Sequence, residues 1–465
     1  MDGIVHFDFK GAPLKINYLE TVFKNIKTWG ATGVLLEWED TFPYASNLKD
    51  IGSQRSSVGA GGDGLYSIDD VQTIFRLAKE NSLEVIQLIQ TIGHMEFVLK
   101  HPSNSKLREA PHSPAVLCPT NPESLPLVTS MLQQALDAQP DSKYIHIGAD
   151  EVWHCGECAQ CRLAAGASAG GAAALYLRHI QNVALLLKKK KPDLIVLMWE
   201  DMLRSMTADV LKSYNLGDLV QPVVWHYNPI ESFSLSPAMW ETYRQTFPKV
   251  WIASAYKGAN GGSQVVSPVG RYVSNHEGWL KEIDKYAFQI NFVGIIFTGW
   301  SRCFRYDHYS TLCELLPVSL PSLKSCLRIF LKRNTSLPME ESEEVPESEL
   351  SSSVQRYVDL KDRCHNFLHS DQVATWFNRW QIENEFTNPL QIQNVMQFAK
   401  HLLTDILVLQ ETITPQLHAV TGRRSADEWI GTFLRPLILQ LSDIYETAVR
   451  RMNAGASVLP KCIDF

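Results

Sequence analysis

Residues 146–161 read HIGADEVWHCGECAQC. An acidic pair, Asp150 and Glu151, stands just ahead of three evenly spaced cysteines, Cys155, Cys158 and Cys161. The two groups imply different chemistry. Carboxylates can pass a proton and steady a developing positive charge. Thiols at C-x2-C-x2-C spacing can hold zinc, which takes four ligands in a closed site. His154 is a conceivable fourth donor, yet it adjoins Cys155, and sequence neighbours rarely reach one tetrahedral ion. No second C-x2-C lies nearby in sequence. The thiols are therefore read as a reduced, partly exposed loop, with no metal and no cofactor expected, and the chemistry is assigned to the carboxylates.

Neighbouring residues of a strand point to opposite faces, so adjacent carboxylates converge only where the chain turns out of the strand. YIHIGADE places Asp150 and Glu151 just past such an end, with Gly148 allowing the change of direction. A bare Asp-Glu pair is otherwise an exposed acidic loop. Here the preceding strand, His146 and tryptophans at other strand ends favour a site.

The elements that must position it follow from hydrophobic patterning. Short apolar runs at 4–9, 33–38, 84–90, 144–148, 194–199, 219–225, 250–255 and 293–300 alternate with amphipathic stretches such as 67–80 and 173–190. Eight strands alternating with helices predict a (β/α)8 barrel. An open doubly wound sheet is the alternative, but no Gly-rich phosphate loop follows the first strand. The barrel is predicted over 1–335, an acidic Ser/Pro/Glu linker over 336–353, and an α-helical domain over 354–465, with helical periodicity at 394–413 and 429–449.

A barrel gathers its site at the carboxyl ends of its strands. Those ends carry Asp8 and Lys10, then Glu37, Trp38, Glu39 and Asp40, then His94 and Glu96, then Asp150 and Glu151. Trp199, Trp225 and Trp300 end three further strands, and Tyr256 and Lys257 follow the seventh. Carboxylates beside indoles suit a sugar, whose hydroxyls take hydrogen bonds and whose apolar face stacks on a ring. One tryptophan or one histidine would read as ordinary packing; three indoles at separate strand ends do not.

The 465 residues carry a formal net charge of −7 and a sequence pI of about 6.1, which argues against nucleic acid as a partner. No window approaches the ~18 apolar residues of a membrane span, and the N-terminal stretch lacks a secretory pattern. Nine cysteines, an odd number, fit reduced thiols. The expected location is cytoplasmic, with the nucleus also possible. The expected partner is a small glycan, and a homodimer is the one assembly considered.

HIGADE resembles the H-x-G-x-D-E motif of family 20 glycoside hydrolases, the β-N-acetylhexosaminidases. HFDFKGAP, QTIGHMEFVLKH, MWEDM, SAYKGA and YDHYSTLCELLP extend the likeness, in order, over about residues 4–330 to a non-lysosomal branch of that family. The resemblance implies an exo-acting enzyme removing terminal β-linked GalNAc or GlcNAc with retention, the substrate's 2-acetamido oxygen attacking the anomeric carbon. It implies Glu151 as general acid and Asp150 as the group orienting the acetamide. Trp199, Trp225 and Trp300 would box the sugar, and Tyr227, or failing it Tyr256, would bond the acetamide oxygen. Asp8, Lys10, His94 and Glu96 are expected to contact hydroxyls or support the acidic pair.

Two departures bear on the sugar. Lysosomal relatives have Arg where Lys10 stands, and Glu near Ser301 and Arg302; these positions read the 4-hydroxyl, and the branch leans towards galactosaminides. The segment GWSRCFRYDHY is longer than the family form GW-x-R-Y-D-H-Y. A two-carboxylate glycosidase using Glu37 or Glu39 as nucleophile, and an inactive sugar-binding scaffold, are the other readings.

Overall fold

The computed structural model describes residues 1–51, 65–168, 170–302, 310–331 and 348–454. These fall into two compact units, Met1–Pro346 and Glu347–Phe465.

In the first unit, eight parallel strands close into a barrel: β1 (Asp2–Asp8), β2 (Gly33–Glu37), β3 (Glu84–Leu88), β6 (Tyr144–His146), β7 (Ile195–Trp199), β8 (Gln221–Trp225), β9 (Val250–Lys257) and β10 (Phe292–Gly299), with β10 returning to β1. Each strand is a short apolar run because each is covered on both faces, by the barrel interior and by helices outside. Register between β1 and β2 sets Asp8 opposite Glu37, so two predicted strand-end acids finish at one level. Ile4, Leu35, Ile86, Leu197, Val223 and Ile296 fill the interior, and Trp199 and Trp300 belong to the same buried cluster. All eight predicted strands are present with ends moved by a residue or two.

Helix starts follow local chemistry. The Ser67 hydroxyl accepts the Asp70 N–H while the Asp70 carboxylate accepts the Ser67 N–H, a capping box that opens helix Ile68–Glu80. Lys188, Lys189 and Lys190 occupy the last turn of helix Gly171–Lys190, where the macrodipole favours cations.

A two-stranded antiparallel hairpin, β4 (Arg108–Ala110) and β5 (Ser113–Leu117), is inserted between the third and fourth barrel strands. Sequence reading missed it. Strands of this length, with Pro111 and Pro114 in or beside them, give no clear alternation.

The second unit is helical, as predicted. Helix Pro389–Val420 buries Ile392, Val395, Ala399, Leu402, Ile406, Leu409 and Ile413, alternating steps of three and four that form one continuous seam. Helices Ser348–Leu368 and Arg435–Asn453 pack against it. The predicted linker needs a correction at its end: residues 348–353 are helical, because Leu350, Val354 and Tyr357 recur on one buried face despite acidic and serine-rich surroundings. The rest of that linker lies outside the described residues, as do residues 303–309 of the lengthened segment after Trp300. Stretch 429–449 is not one helix. A five-residue π turn, Ile430–Leu434, separates Arg423–Trp429 from the last helix, whose first turn contains Pro436. Among the described residues no helix is long and apolar enough to cross a membrane.

The end of the barrel away from the strand carboxyl termini offers a direct packing test. A Cβ on Gly294 would lie 2.1 Å from Cζ3 of the buried Trp251 ring. Gly294→Ala is expected to destabilise the barrel by about 1–3 kcal/mol through overpacking, seen as a lower Tm in thermal denaturation followed by tryptophan fluorescence.

Candidate active site

The chain leaves β6 through left-handed backbone. Gly148 has φ of 64°, Ala149 of 72° and Glu151 of 51°. For residues with a Cβ this region is sparsely occupied, costs of order 1–3 kcal/mol each, and persists only where neighbours enforce it. Those neighbours are specific. The Tyr176 hydroxyl donates to the Ala149 carbonyl at 2.8 Å. Gln90 Oε1 accepts the Ala149 N–H at 3.2 Å, and Gln90 Nε2 donates to Asp150 Oδ1 at 3.1 Å. Asp201 Oδ2 accepts the Glu151 N–H at 2.9 Å. A Cβ on Gly148 would fall 1.9 Å from Gln90 Oε1, so glycine is required there for space as well as for dihedral.

The outcome is convergence. His94 Nε2 stands 3.5 Å from Asp150 Oδ2 and 3.2 Å from Glu151 Oε2, so both carboxylates face one imidazole. Asp150 is fully buried, while the Glu151 side chain keeps 26% exposure. His94 is itself left-handed, with φ of 51°. Burial alone would push its pKa down; the Asp150 charge, hydrogen bonds with Asp150 and Glu151, and the Glu96 charge outweigh that and lift it to about 10. The neighbouring carboxylates thus favour the protonated form of this buried imidazole.

Glu151, His94 and Glu96 line a cavity of about 330 Å³, walled by Ser113, Ala115 and Val116 of β5 and by Trp153. Trp199, Trp225 and Trp300 are not in that lining. Trp199 and Trp300 lie with ring centroids 6.0 Å apart, and Trp225 and Tyr227 pack on the same cluster. Tyr227 stacks on Trp225 at 5.2 Å with an interplanar angle of 26°. Trp225 Nε1 donates to Asp201 Oδ1 at 3.2 Å, so one aspartate holds both the Glu151 backbone and an indole.

Asp8 and Lys10 form a second polar group. Lys10 Nζ, fully buried, lies 2.9 Å from Asp8, 3.3 Å from Glu37 and 3.4 Å from Glu39. Burial opposes its charge, but the three carboxylates more than offset that and raise its pKa well above the usual value. His6 Nδ1 accepts the Gly299 N–H, so Nε2 donates to Glu37 Oε2 at 2.9 Å. Lys10 Nζ is also 5.7 Å from the Trp300 ring centre.

Two expected sugar contacts are corrected. Strand β9 continues to Lys257, which keeps Tyr256 inside the sheet, fully buried, its hydroxyl donating to the His6 carbonyl at 3.1 Å. Arg302 is buried because its guanidinium donates to the carbonyls of Lys10, Gly11 and Ser310, stapling the chain after β10 onto the loop after β1. Conversely, Gln90 and Asp201 were missed. Asp201 was visible within MWEDM, and Gln90 stood at the end of a predicted strand, but neither type signals a role without the turn it supports.

The thiols differ from expectation too. Cys161 is buried, and Cys158 and Cys161 meet Cys118, which arrives from just beyond β5; Glu109 of β4 completes a group of four ligand atoms all within 4.8 Å of each other. His154 is elsewhere, bonded to Glu157 at 2.7 Å. Two of the four partners, Glu109 and Cys118, come from a distant segment, which a search for nearby C-x2-C pairs does not reach.

A parallel barrel carrying two converging acids and indoles at its strand ends is the architecture of a glycoside hydrolase. The sequence matches the catalytic domain of glycosyl hydrolase family 20 over residues 37–229, and the chain belongs to that family. It is 34% identical to human hexosaminidase D over 466 residues, covering 95% of this chain and 93% of the relative. It is 40% identical to hexosaminidase D of Bos taurus over 329 residues, covering 70% of this chain and 91% of the relative. The β-N-acetylhexosaminidase of Bacteroides fragilis shares the fold, with a TM-score of 0.52 at 13% identity over 78% of this chain and 71% of that one.

A group whose folded pKa is raised contributes stability in its protonated state: the contribution is complete below the unfolded value of ~6.5 and fades as pH climbs through the folded value. With His94 at about 10, the stability advantage of the parent chain over His94→Gln should be greatest below pH ~6.5 and shrink steadily towards pH 10. Paired thermal melts across that range measure it.

Proposed function

We propose that this enzyme is an exo-β-N-acetylhexosaminidase that removes terminal β-linked GalNAc or GlcNAc with retention, the substrate's own acetamide acting as nucleophile. The observation that carries the reading is the convergence of Asp150 and Glu151 on His94.

Glu151, the more exposed acid, lines the cavity and would protonate a leaving oxygen lying there. The His94 cation then steadies the carboxylate that remains, which in the second half-reaction takes a proton from water. Asp150, dry and held by Gln90, is suited to accept an acetamide N–H and oppose positive charge on that amide as the ring forms. A fixed anion in a dry site acts most strongly on charge that appears only in the transition state. Trp199, Trp225 and Trp300 would hold the sugar and the acetamide methyl, with Tyr227 placed by its stack on Trp225. Asp8 and Lys10, near Trp300, would face ring hydroxyls.

A protein nucleophile is disfavoured by the same geometry. Glu37 is paired with His6 and Lys10, and Glu39 with Lys10, so neither is held as an uncommitted attacking group. A pure sugar binder gives no reason for a strained turn that brings a second acid onto His94.

Aryl β-N-acetylhexosaminides provide the assay. Glu151→Gln should lower kcat by roughly 10²–10⁴ for substrates whose leaving group needs protonation, and near-normal turnover would remove it as the acid. Progressive fluorination of the acetamide should slow the parent enzyme steeply; rates indifferent to fluorine would favour a protein nucleophile. Comparing galactosaminide with glucosaminide substrates assigns the sugar.

A further inference from the structure

We propose that Cys118, Cys158, Cys161 and Glu109 bind a zinc ion that fastens the β4–β5 hairpin to the loop leaving Glu151. The site is built from three separate segments, and its distances suit the ion. Cys118 Sγ lies 3.6 Å from both Cys158 Sγ and Cys161 Sγ. Zinc–thiolate bonds of ~2.3 Å at the tetrahedral angle place sulfurs ~3.8 Å apart, so little movement separates this arrangement from a coordinated one.

Glu109 supplies the second, independent indication. It is fully buried, and Oε1 accepts the N–H groups of Gly156, Glu157 and Cys158 at 2.9, 2.6 and 3.0 Å. Its other oxygen, Oε2, is buried without an N–H or O–H donor; the carboxylate's remaining neighbours are the three thiols. A buried carboxylate turned towards thiols is costly in a merely apolar cluster, and a cation removes that cost. Cys158 caps helix Ala159–Gly166, its sulfur accepting the Cys161 N–H at 3.3 Å, the kind of bond that supports a thiolate. Leu175, Ala164 and Ala165 pack against the cluster, an apolar surround that suits a structural ion. Soft thiolate donors in a closed, four-membered set select zinc over hard cations. Cys155 packs beside the group with its sulfur directed to the Ala172 carbonyl at 3.8 Å and is not a ligand.

The role is positional. Ser113–Val116 of the hairpin wall the cavity into which Glu151 opens, and the ion would fix that wall relative to the acid. The proposal is independent of which glycoside is cleaved.

The test uses the full chain, expressed with zinc and purified under reducing conditions. Elemental analysis should give about one zinc per chain, and a mercurial should release it in step with thiol modification. The metal-stripped chain should take up cobalt with thiolate-to-metal charge-transfer absorption, and its Tm should rise when zinc is returned. E109Q, which keeps an amide oxygen for the three N–H groups, should weaken zinc at least about tenfold while folding normally. The C118S/C161S double variant should carry none. Purified chain without zinc that also binds no cobalt, zinc retained by C118S/C161S, or a Cys158–Cys161 disulfide in the freshly reduced protein would each overturn the proposal; the cobalt measurement decides even if the double variant fails to fold.

Discussion

Everything at the strand ends depends on a stretch of backbone that most residues avoid. From Gly148 to Glu151 the chain spends three left-handed dihedrals to turn two consecutive acids towards one side. Gln90, Tyr176 and Asp201 hold the turn, each through a hydrogen bond to the backbone or to Asp150. His94 then makes the crowding tolerable, since two acids sharing a buried space without a cation would repel. Strain, clamps and cation are a single arrangement, and removing any one exposes the cost of the others.

The same logic recurs at the ends of β1 and β2. Lys10 sits inside Asp8, Glu37 and Glu39, and His6 takes the remaining oxygen of Glu37. Buried charges are expensive singly, and this group satisfies them mutually. Trp300 rests against it, touching His6 with ring centroids 4.7 Å apart. That indole is thus seated on a mutually paired polar group.

Much of this could be read from residue order. The apolar runs gave eight strands because parallel strands are covered on both faces, and the strand-end rule then gathered Asp150, Glu151, His94 and the indoles. What stayed hidden were partners fixed by long-range geometry. Gln90 and Asp201 are ordinary polar residues until a turn 50 or more positions away needs an acceptor. Arg302 carries the charge of a sugar ligand but finds backbone carbonyls first. Tyr256 missed the cavity because its strand ran two residues longer than its apolar run. The thiol cluster needed Cys118, 40 positions from Cys158, and a hairpin too short to announce itself.

Asp201 accepts from the Glu151 backbone with one oxygen and from the Trp225 indole with the other. A ring pressing on that indole therefore pulls on the carboxylate that sets where the acid stands. Under the proposed function, in which Trp225 holds the sugar and Glu151 gives the proton, the two tasks share a hinge pin, and a lineage retuning its preference through Trp225 would disturb its turnover in the same stroke.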